Sequence, residues 1–318
     1  MWHTNLALLP GTLVALYYFG FGYLHNLGVA IAAGLLFEAT ALKLRGRDWR
    51  GQTSDGSVVL TCVLIALAAP PSLPIFVLVT ACAFAVLLAK HSYGGIGRNL
   101  FNPAMVGYAA ALICFPAAFA VWPVPTDGVT AATALDAIKT LDGTTMIDRH
   151  TVENGFGNWG GFGSEWMGLA WAAGGIYLVW QKIIAWRVSV GFLFTLLLCA
   201  ALGYDNGSST TGGSPGQHLL NGGTLLAAFF VLTDPVTHPS RPRAQWLFGG
   251  IAALLTYTIR VVGAYPDGIA FAVLLANGAT PLLNDWAARN AHRRGSVQPA
   301  SDAEAETEAA TESRSRRS

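Results

Sequence analysis

Charged residues are scarce in this chain of 318 residues: they make up 12% of it, whereas hydrophobic residues make up 53%. An average soluble domain carries about 25% charged residues. Together with a mean hydropathy of +0.46, this composition excludes an ordinary soluble domain and predicts an integral membrane protein. The net charge of +1 and the lack of a basic block interleaved with aromatic residues exclude nucleic acid as a partner.

Motifs for metal binding and hydrolysis are also missing from the sequence. The chain has no Cys-x-x-Cys site, because its cysteines stand singly inside apolar runs, at Cys62, Cys82, Cys114 and Cys199. A cluster shared with another subunit would escape this test. No two histidines are four residues apart, which argues against a metal site on one helix. Walker A, Gly-x-Ser-x-Gly and His-Glu-x-x-His patterns do not occur, so hydrolase functions lose their support.

Long apolar runs are what the sequence has in abundance. A helix needs about 20 residues to cross a bilayer, and such runs predict an all-α polytopic membrane protein with about ten transmembrane helices. The predicted helices span Leu6–Tyr23, Leu27–Leu44, Val58–Ala69, Leu73–Ala89, Asn102–Val121, Trp166–Ile184, Val188–Leu202, Leu219–Thr233, Trp246–Val262 and Ile269–Trp286.

Lysines and arginines occur in every second connection between these helices. They follow the even-numbered helices, at Lys43, Arg45, Arg47, Arg50, Lys90, Arg98, Lys182, Arg187, Arg241, Arg243, Arg289, Arg293 and Arg294. Because basic loops stay on the cytoplasmic side of a membrane, both termini are predicted to be cytoplasmic. The long loop of residues 122–165 is then external.

The two halves of the chain echo each other. Asp55-Gly56-Ser57 and Asn221-Gly222-Gly223-Thr224 each precede an apolar run. A repeat with an odd number of crossings is inverted in the membrane, which predicts two inverted five-helix repeats. The last residues are polar and should be disordered. The predicted domains are the first repeat (1–121), the external loop (122–165), the second repeat (166–288) and a disordered cytoplasmic tail (289–318).

Ionisable residues within or beside predicted helices are candidates for function. Glu38 lies in an apolar run and is a candidate for an ion pathway, with local pairing to Lys43 or Arg45 as the alternative. Asp234 closes the eighth helix, where it either binds a cation or caps a turn. Arg260, near the outer end of the ninth helix, is suited either to hold a phosphate or an anionic flavin or to make a structural ion pair.

Residues 127–136 are polar and turn-rich within the external loop. They read Asp127-Gly128-Val129-Thr130-Ala131-Ala132-Thr133-Ala134-Leu135-Asp136. A plain loop is one explanation, because these residue types are common in loops. The pattern also resembles the signature at which flavin mononucleotide (FMN) is joined through its phosphate to a threonine hydroxyl. This resemblance assigns the attachment to Thr133, within a motif that includes Gly128, Thr130, Ala132 and Asp136.

Further stretches carry a resemblance that spans most of the membrane region. They are Leu36–Ala39, Lys43–Arg47, Asp55–Ser57, Tyr93–Tyr108, His218–Thr224, Thr233–Thr237 and Gly263–Ala272. With the threonine segment, they resemble the RnfD/RsxD family, the membrane component of the Rnf/Rsx ion-translocating electron transport complex. They also resemble its relative, the B component of the sodium-translocating NADH:quinone reductase.

This resemblance implies a flavin-carrying subunit of a redox-driven ion translocase, not catalytic alone, in the bacterial inner membrane. Electron transfer through covalent FMN would be coupled to translocation of Na⁺ or H⁺. The implied partners are the A, B, C, E and G components of the Rnf/Rsx complex, and the flavin loop would face the periplasm. The relative implies a second, noncovalent flavin, riboflavin, for which Asp55, Gly95, Asn102 and Asn221 are candidates.

Two other classes of protein remain open from the residues alone. An inverted five-helix repeat with broken helices also suits a channel or secondary transporter of the urea or ammonium type. A structural scaffold with an unused flavin motif is the third possibility.

Overall fold

The computed structural model describes residues 1–95, 97–123, 130–131, 163–207, 212–263, 265 and 267–295. The attachment-motif residues Gly128, Ala132, Thr133 and Asp136 lie outside the described residues. So do residues 296–318 of the predicted tail.

The first half of the chain is helical and ends in a short strand. Its elements are α1 (Trp2–Ala7), α2 (Leu9–Phe19), α3 (Gly22–Leu44), α4 (Trp49–Thr53), α5 (Ser57–Ala68), α6 (Ile75–Ala83), the π-helix π1 (Phe84–His91), α7 (Pro103–Cys114), α8 (Pro116–Phe119) and β1 (Trp122–Pro123). Strand β1 pairs with β2 (Thr130–Ala131) in an antiparallel ladder.

The second half is helical in the residues that the structure describes. Its elements are α9 (Ser164–Trp180), α10 (Trp186–Leu202), a 3₁₀ turn (Asp205–Gly207), α11 (Pro215–Leu220), α12 (Thr224–Leu226), the π-helix π2 (Ala227–Val231), α13 (Pro242–Val261) and α14 (Ile269–Gly295). Each of the ten predicted helices therefore has a helical counterpart.

Several predicted helices are broken where the sequence analysis made them continuous. The first ends at Gly20, whose φ of 70° is left-handed, so α3 begins within its predicted range. The eighth is interrupted between α11 and α12, because Gly222 and Gly223 take φ values of 64° and 68°, which glycine alone adopts readily. The fifth breaks at Phe115, just before a proline starts the next helix.

The last helix is longer than predicted. Helix α14 continues to Gly295, so residues 289–295, which the sequence analysis placed in a disordered tail, are helical. This segment contains Arg289, Arg293 and Arg294, and arginine is among the residues that favour helix.

Helix α3 is the one helix among the described residues that is both long and apolar enough to cross a membrane. The shorter apolar helices are Ser57–Ala68, Ile75–His91, Pro103–Cys114 and Trp186–Leu202. Large apolar side chains also cover the outside of the fold, among them Phe21, Leu44, Val262 and Tyr17. An apolar exterior around helices fits a membrane protein.

Helices approach each other closely at glycines. A Cβ built on Gly174 of α9 would lie 1.9 Å from the carbonyl oxygen of Ala7 in α1. The corresponding distance from Gly107 to the carbonyl oxygen of Ala81 is 2.3 Å, and from Gly249 to that of Val188 is 2.5 Å. Small residues at helix contacts, which allow such approach of two backbones, are typical of membrane helices.

We expect Gly174→Ala to destabilise the protein by about 1–3 kcal/mol, because the methyl group would overlap backbone that cannot rotate away. Thermal unfolding of the purified chain in detergent measures the effect. The matched control is Gly28→Ala in α3, where a Cβ meets nothing within 4 Å. Equal unfolding temperatures for both variants would contradict the packing described here.

Candidate functional site

A buried charge cluster joins α3, α5 and π1. The Nζ of Lys90 lies 2.8 Å from Oε1 of Glu38 and donates a hydrogen bond of 2.9 Å to Oγ of Ser57. The Nε2 of His91 lies 2.9 Å from Oε2 of Glu38. The side chains of Glu38 and Lys90 are 2% and 4% exposed, so water does not screen the pair. Both carboxylate oxygens of Glu38 are therefore engaged by partners that are distant along the chain.

The predicted local pairing of Glu38 with Lys43 or Arg45 is wrong. Glu38 lies on the buried face of α3, whereas Lys43 is exposed near the end of that helix. The guanidinium of Arg45 instead donates to the carbonyl oxygen of His91. Side chains on opposite faces of one helix cannot meet, and the end of π1 supplies the cation instead.

A second buried cation stands at the break between α11 and α12. The guanidinium of Arg260, 2% exposed, donates to the carbonyl oxygen of His218 at 2.9 Å and to Oγ1 of Thr224 at 3.0 Å. It also lies 3.4 Å from the carbonyl oxygens of Asn221 and Gly222. These carbonyls have left the helical ladder, so the guanidinium replaces the hydrogen bonds that the break removes.

Arg260 also forms an ion pair. Its guanidinium lies 3.1 Å from Oδ1 of Asp267, and the same oxygen accepts from the backbone N–H of Ile269 at the start of α14. Of the two roles that the sequence left open for Arg260, the described residues place it in a structural one.

The two buried cations occupy equivalent places in the two halves. Helices α5 and α12 each follow a left-handed glycine, Gly56 with φ 77° and Gly223 with φ 68°. The first helical residue in each case, Ser57 or Thr224, carries a hydroxyl that accepts from the cation. The structure thus extends the sequence echo between the halves from a short motif to a matched set of contacts.

A cavity of about 340 Å³ opens beside the first cluster. Its lining residues are Glu38, Arg47, Gln52, His91, Gly94, Gly95 and Arg98. Among the residues that the structure describes, no group of three or more His, Cys, Asp or Glu side chains is arranged for a metal ion.

Three of the four candidates for a second flavin have capping roles. Oδ1 of Asp55 accepts from the N–H of Ser57 at 2.7 Å, and Asn102 caps α7 by accepting from the N–H of Ala104. The side chain of Asn221 donates to the carbonyl oxygen of Gln217 at the end of α11. The fourth, Gly95, lines the cavity.

The structure does not bring these four residues to one place. Asn102 donates to the carbonyl oxygen of Val231, at the end of π2, whereas Asn221 precedes α12 at the other end of the same helical segment. About ten residues of helix separate the two sites, or roughly 15 Å. The assignment of the four to one flavin stays a prediction.

Asp234 lies in a turn after π2. Its Oδ1 accepts from the N–H of Val236 at 3.2 Å, and its Oδ2 from the hydroxyl of Thr237 at 3.4 Å. Burial raises the pKa of the Asp234 carboxyl, while the hydrogen bonds from Val236 and Thr237 and the nearby His238 oppose that shift. The described contacts are those of a turn cap.

The polar loop that carries the threonine segment begins at an anchored point. In the β ladder Trp122 is opposite Ala131 and Pro123 is opposite Thr130. The indole N–H of Trp122 donates to the carbonyl oxygen of Phe119 at 3.0 Å, and Ser72 donates to that of Val121. Thr133 follows β2 by two residues.

Sequence reasoning missed the cations of these clusters as site residues. Lys90 and His91 served there only to orient the protein or as isolated histidines, and Ser57 and Thr224 only as part of a repeat. The available signal was position, since Lys90 and His91 directly continue an apolar run, where a charge is costly.

Taken together, an all-helical fold with an apolar exterior and buried ion pairs at interrupted helices defines a polytopic membrane protein. The chain belongs to the NQR2, RnfD, RnfE family, whose model matches residues 1–293.

Curated relatives share much of the chain with this protein, and the three described here each bear the name of the D component of an ion-translocating oxidoreductase complex. The relative from Ectopseudomonas mendocina (strain ymp) is 41% identical over 297 residues, covering 88% of this chain and 87% of the relative. The relative from Aeromonas hydrophila is 41% identical over 317 residues, with 88% and 89% covered. That from Escherichia coli O17:K52:H18 is 40% identical over 332 residues, with 91% and 93% covered.

We expect Lys90→Met to destabilise the protein by about 3–5 kcal/mol, because it leaves the Glu38 carboxylate buried without its cation. The double variant Glu38→Gln/Lys90→Met should recover part of this loss, since no uncompensated charge remains. Thermal unfolding in detergent measures both. The control is Lys43→Met, an exposed position on the same helix as Glu38, and a Lys90→Met variant as stable as this control would contradict the ion pair.

We expect Arg260→Lys to lower stability by about 1–3 kcal/mol although the charge is kept, because an ammonium cannot reach carbonyls on several sides as a planar guanidinium does. Arg243→Lys, at an exposed position, is the control. The comparison uses the same unfolding measurement, and an unchanged midpoint for Arg260→Lys would show that the break between α11 and α12 does not depend on the guanidinium.

Proposed function

We propose that this chain is the flavin-carrying membrane subunit of a bacterial Rnf/Rsx ion-translocating oxidoreductase, with FMN esterified to Thr133. The observation that carries the proposal is the segment Asp127–Asp136 within a chain of the NQR2, RnfD, RnfE family. Relatives named for the D component of an ion-translocating oxidoreductase complex align with about nine-tenths of its length. Electrons pass through this flavin, and their transfer is coupled to movement of Na⁺ or H⁺.

A covalent link suits a cofactor held in a polar loop. A phosphoester removes the cost of holding the flavin in place and prevents its loss during turnover. Small neighbours at Ala131, Ala132 and Ala134 give the enzyme that attaches the flavin room to reach the hydroxyl of Thr133. The backbone ladder at Thr130 and Ala131 supports an attachment point tethered to the end of α8.

The proposed topology has about ten crossings in two inverted five-helix repeats, with both termini in the cytoplasm and the threonine loop in the periplasm. The matched contacts of Lys90 with Ser57 and of Arg260 with Thr224 support the repeat. Interrupted helices at the equivalent glycines, Gly56 and Gly223, support it further. The A, B, C, E and G components of the complex and the bilayer are the proposed partners.

Glu38 and Asp234 remain the proposed acidic residues of an ion pathway. The contacts of Glu38 set a condition on that role: a cation or proton reaching this carboxylate has to compete with Lys90 and His91. Riboflavin is the proposed second, noncovalent flavin, and Gly95 is the candidate for it that borders a cavity.

Flavin attachment is tested on the full chain expressed in a host that has the flavin transferase. We expect the wild-type band to fluoresce after denaturing electrophoresis and the Thr133→Ala band to be dark. Mass spectrometry of the peptide that contains Asp127–Lys139 should show an added flavin phosphate on Thr133. Thr130→Ala, in the same loop, is the control and should keep the adduct.

The alternatives give different results in this experiment. A colourless wild-type chain from such a host would overturn the redox proposal and favour the channel or secondary transporter. A scaffold with an unused flavin would be indicated if a Thr133→Ala complex assembled fully and still pumped ions at the wild-type rate.

A further inference from the structure

The cavity beside Glu38 is the largest feature of the described residues that neither the proposed flavin attachment nor the helix breaks explain. Its volume of about 340 Å³ lies at the lower end of the range for small-ligand sites, about 300–1,000 Å³. Apart from its two glycines, its lining consists of charged and polar side chains.

The charges of the lining do not cancel. The carboxylate of Glu38 is neutralised by the Nζ of Lys90 at 2.8 Å, within the protein. The guanidinium groups of Arg47 and Arg98 also line the cavity and are exposed to solvent. The cavity therefore carries an excess of positive charge, which favours an anion.

Two glycines form the floor under both arginines. A Cβ built on Gly94 would lie 3.3 Å from Cδ of Arg98, and one built on Gly95 would lie 3.7 Å from a guanidinium nitrogen of Arg47. The φ values of Gly94 and Gly95 are 103° and 106°, a conformation in which other residues are strained. The guanidinium of Arg47 donates to the carbonyl oxygen of Gly94 at 3.2 Å, which holds it at the cavity.

Side chains rather than backbone amides supply the free donors. The N–H groups of Gly94 and Gly95 already donate to the carbonyl oxygens of His91 and Lys90. A guanidinium has five N–H donors, and Arg47 uses one in its bond to Gly94. The Nδ1 of His91 is buried with no hydrogen-bond partner among the described residues, so a further polar atom at the cavity wall is unsatisfied.

We propose that this cavity binds a phosphate group, held by the paired guanidinium groups of Arg47 and Arg98. Arginine matches the oxygens of phosphate with two parallel hydrogen bonds, which makes it the preferred residue for such recognition. The phosphate is either that of an anionic phospholipid headgroup or that of a soluble phosphate ester.

The neighbouring residues make both sources accessible. Leu44, 83% exposed, and Trp49, 43% exposed, flank the arginines, and Arg50 stacks on Trp49 with 5.3 Å between its Cζ and the ring. An exposed leucine followed by tryptophan and arginines is typical of the level of the lipid headgroups. Water reaches the same level.

The test uses the full chain purified in detergent. Its thermal stability is measured against inorganic phosphate, with chloride at equal ionic strength as the reference. In parallel, native mass spectrometry counts retained phosphatidylglycerol, with diacylglycerol of the same chains as the lipid that lacks a phosphate. The variants are Arg47→Gln/Arg98→Gln and the control Arg241→Gln/Arg243→Gln, which removes the same charge from exposed positions outside the cavity.

We expect binding to the wild type and the control, and an apparent affinity about tenfold or more weaker in the cavity variant, since each lost charged hydrogen bond costs at least that factor. Saturable retention of phosphatidylglycerol alone supports the site with a lipid source, and a shift with inorganic phosphate alone supports it with a soluble source. Equal binding by the cavity variant and the control, or no binding to the wild type, overturns the proposal. A wild type that lacks flavin can still pass this test, so the result is independent of Thr133.

Discussion

Charges buried at the ends and breaks of helices are the constraint on which this fold depends. A helix that stops inside an apolar layer leaves carbonyl and N–H groups without partners, and lipid cannot satisfy them. The protein places a cation at two such points: Lys90 bridges Glu38 and the first residue of α5, and Arg260 collects the carbonyl oxygens between α11 and α12. Each cation in turn needs a carboxylate, Glu38 or Asp267.

The two clusters differ in a way that bears on function. The Arg260 cluster is closed, because its guanidinium is fully used in holding one break together. The Lys90 cluster borders an open cavity with two further arginines. A repeat that is structural in one half and open to solvent in the other gives the protein one site where a ligand can approach. The proposed flavin at Thr133 belongs to a third place, beyond the end of α8, so electron transfer and anion binding concern separate parts of the chain.

Much of the architecture was predictable from apolar runs. All ten predicted helices have helical counterparts, because runs this long form helices in an apolar layer whatever their detailed sequence. Their interruptions were harder to predict: the sequence analysis ran one helix through Gly222-Gly223, and only φ values of 64° and 68° show that both are left-handed. A glycine pair is compatible with a helix or a break, and packing decides between them.

The sequence by itself determined the membrane class, the family, and the residue types at the sites, since composition and motif order do not depend on how the helices pack. The identity of charge partners was decided only by the tertiary structure. Glu38 is within two turns of Lys43 and Arg45 along the chain, yet its partners are Lys90 and His91. A helix shows one face to its neighbours, and the neighbour of that face is fixed by packing between distant segments. The cavity of Arg47 and Arg98 arises for the same reason, because it exists only where the ends of α3 and π1 meet.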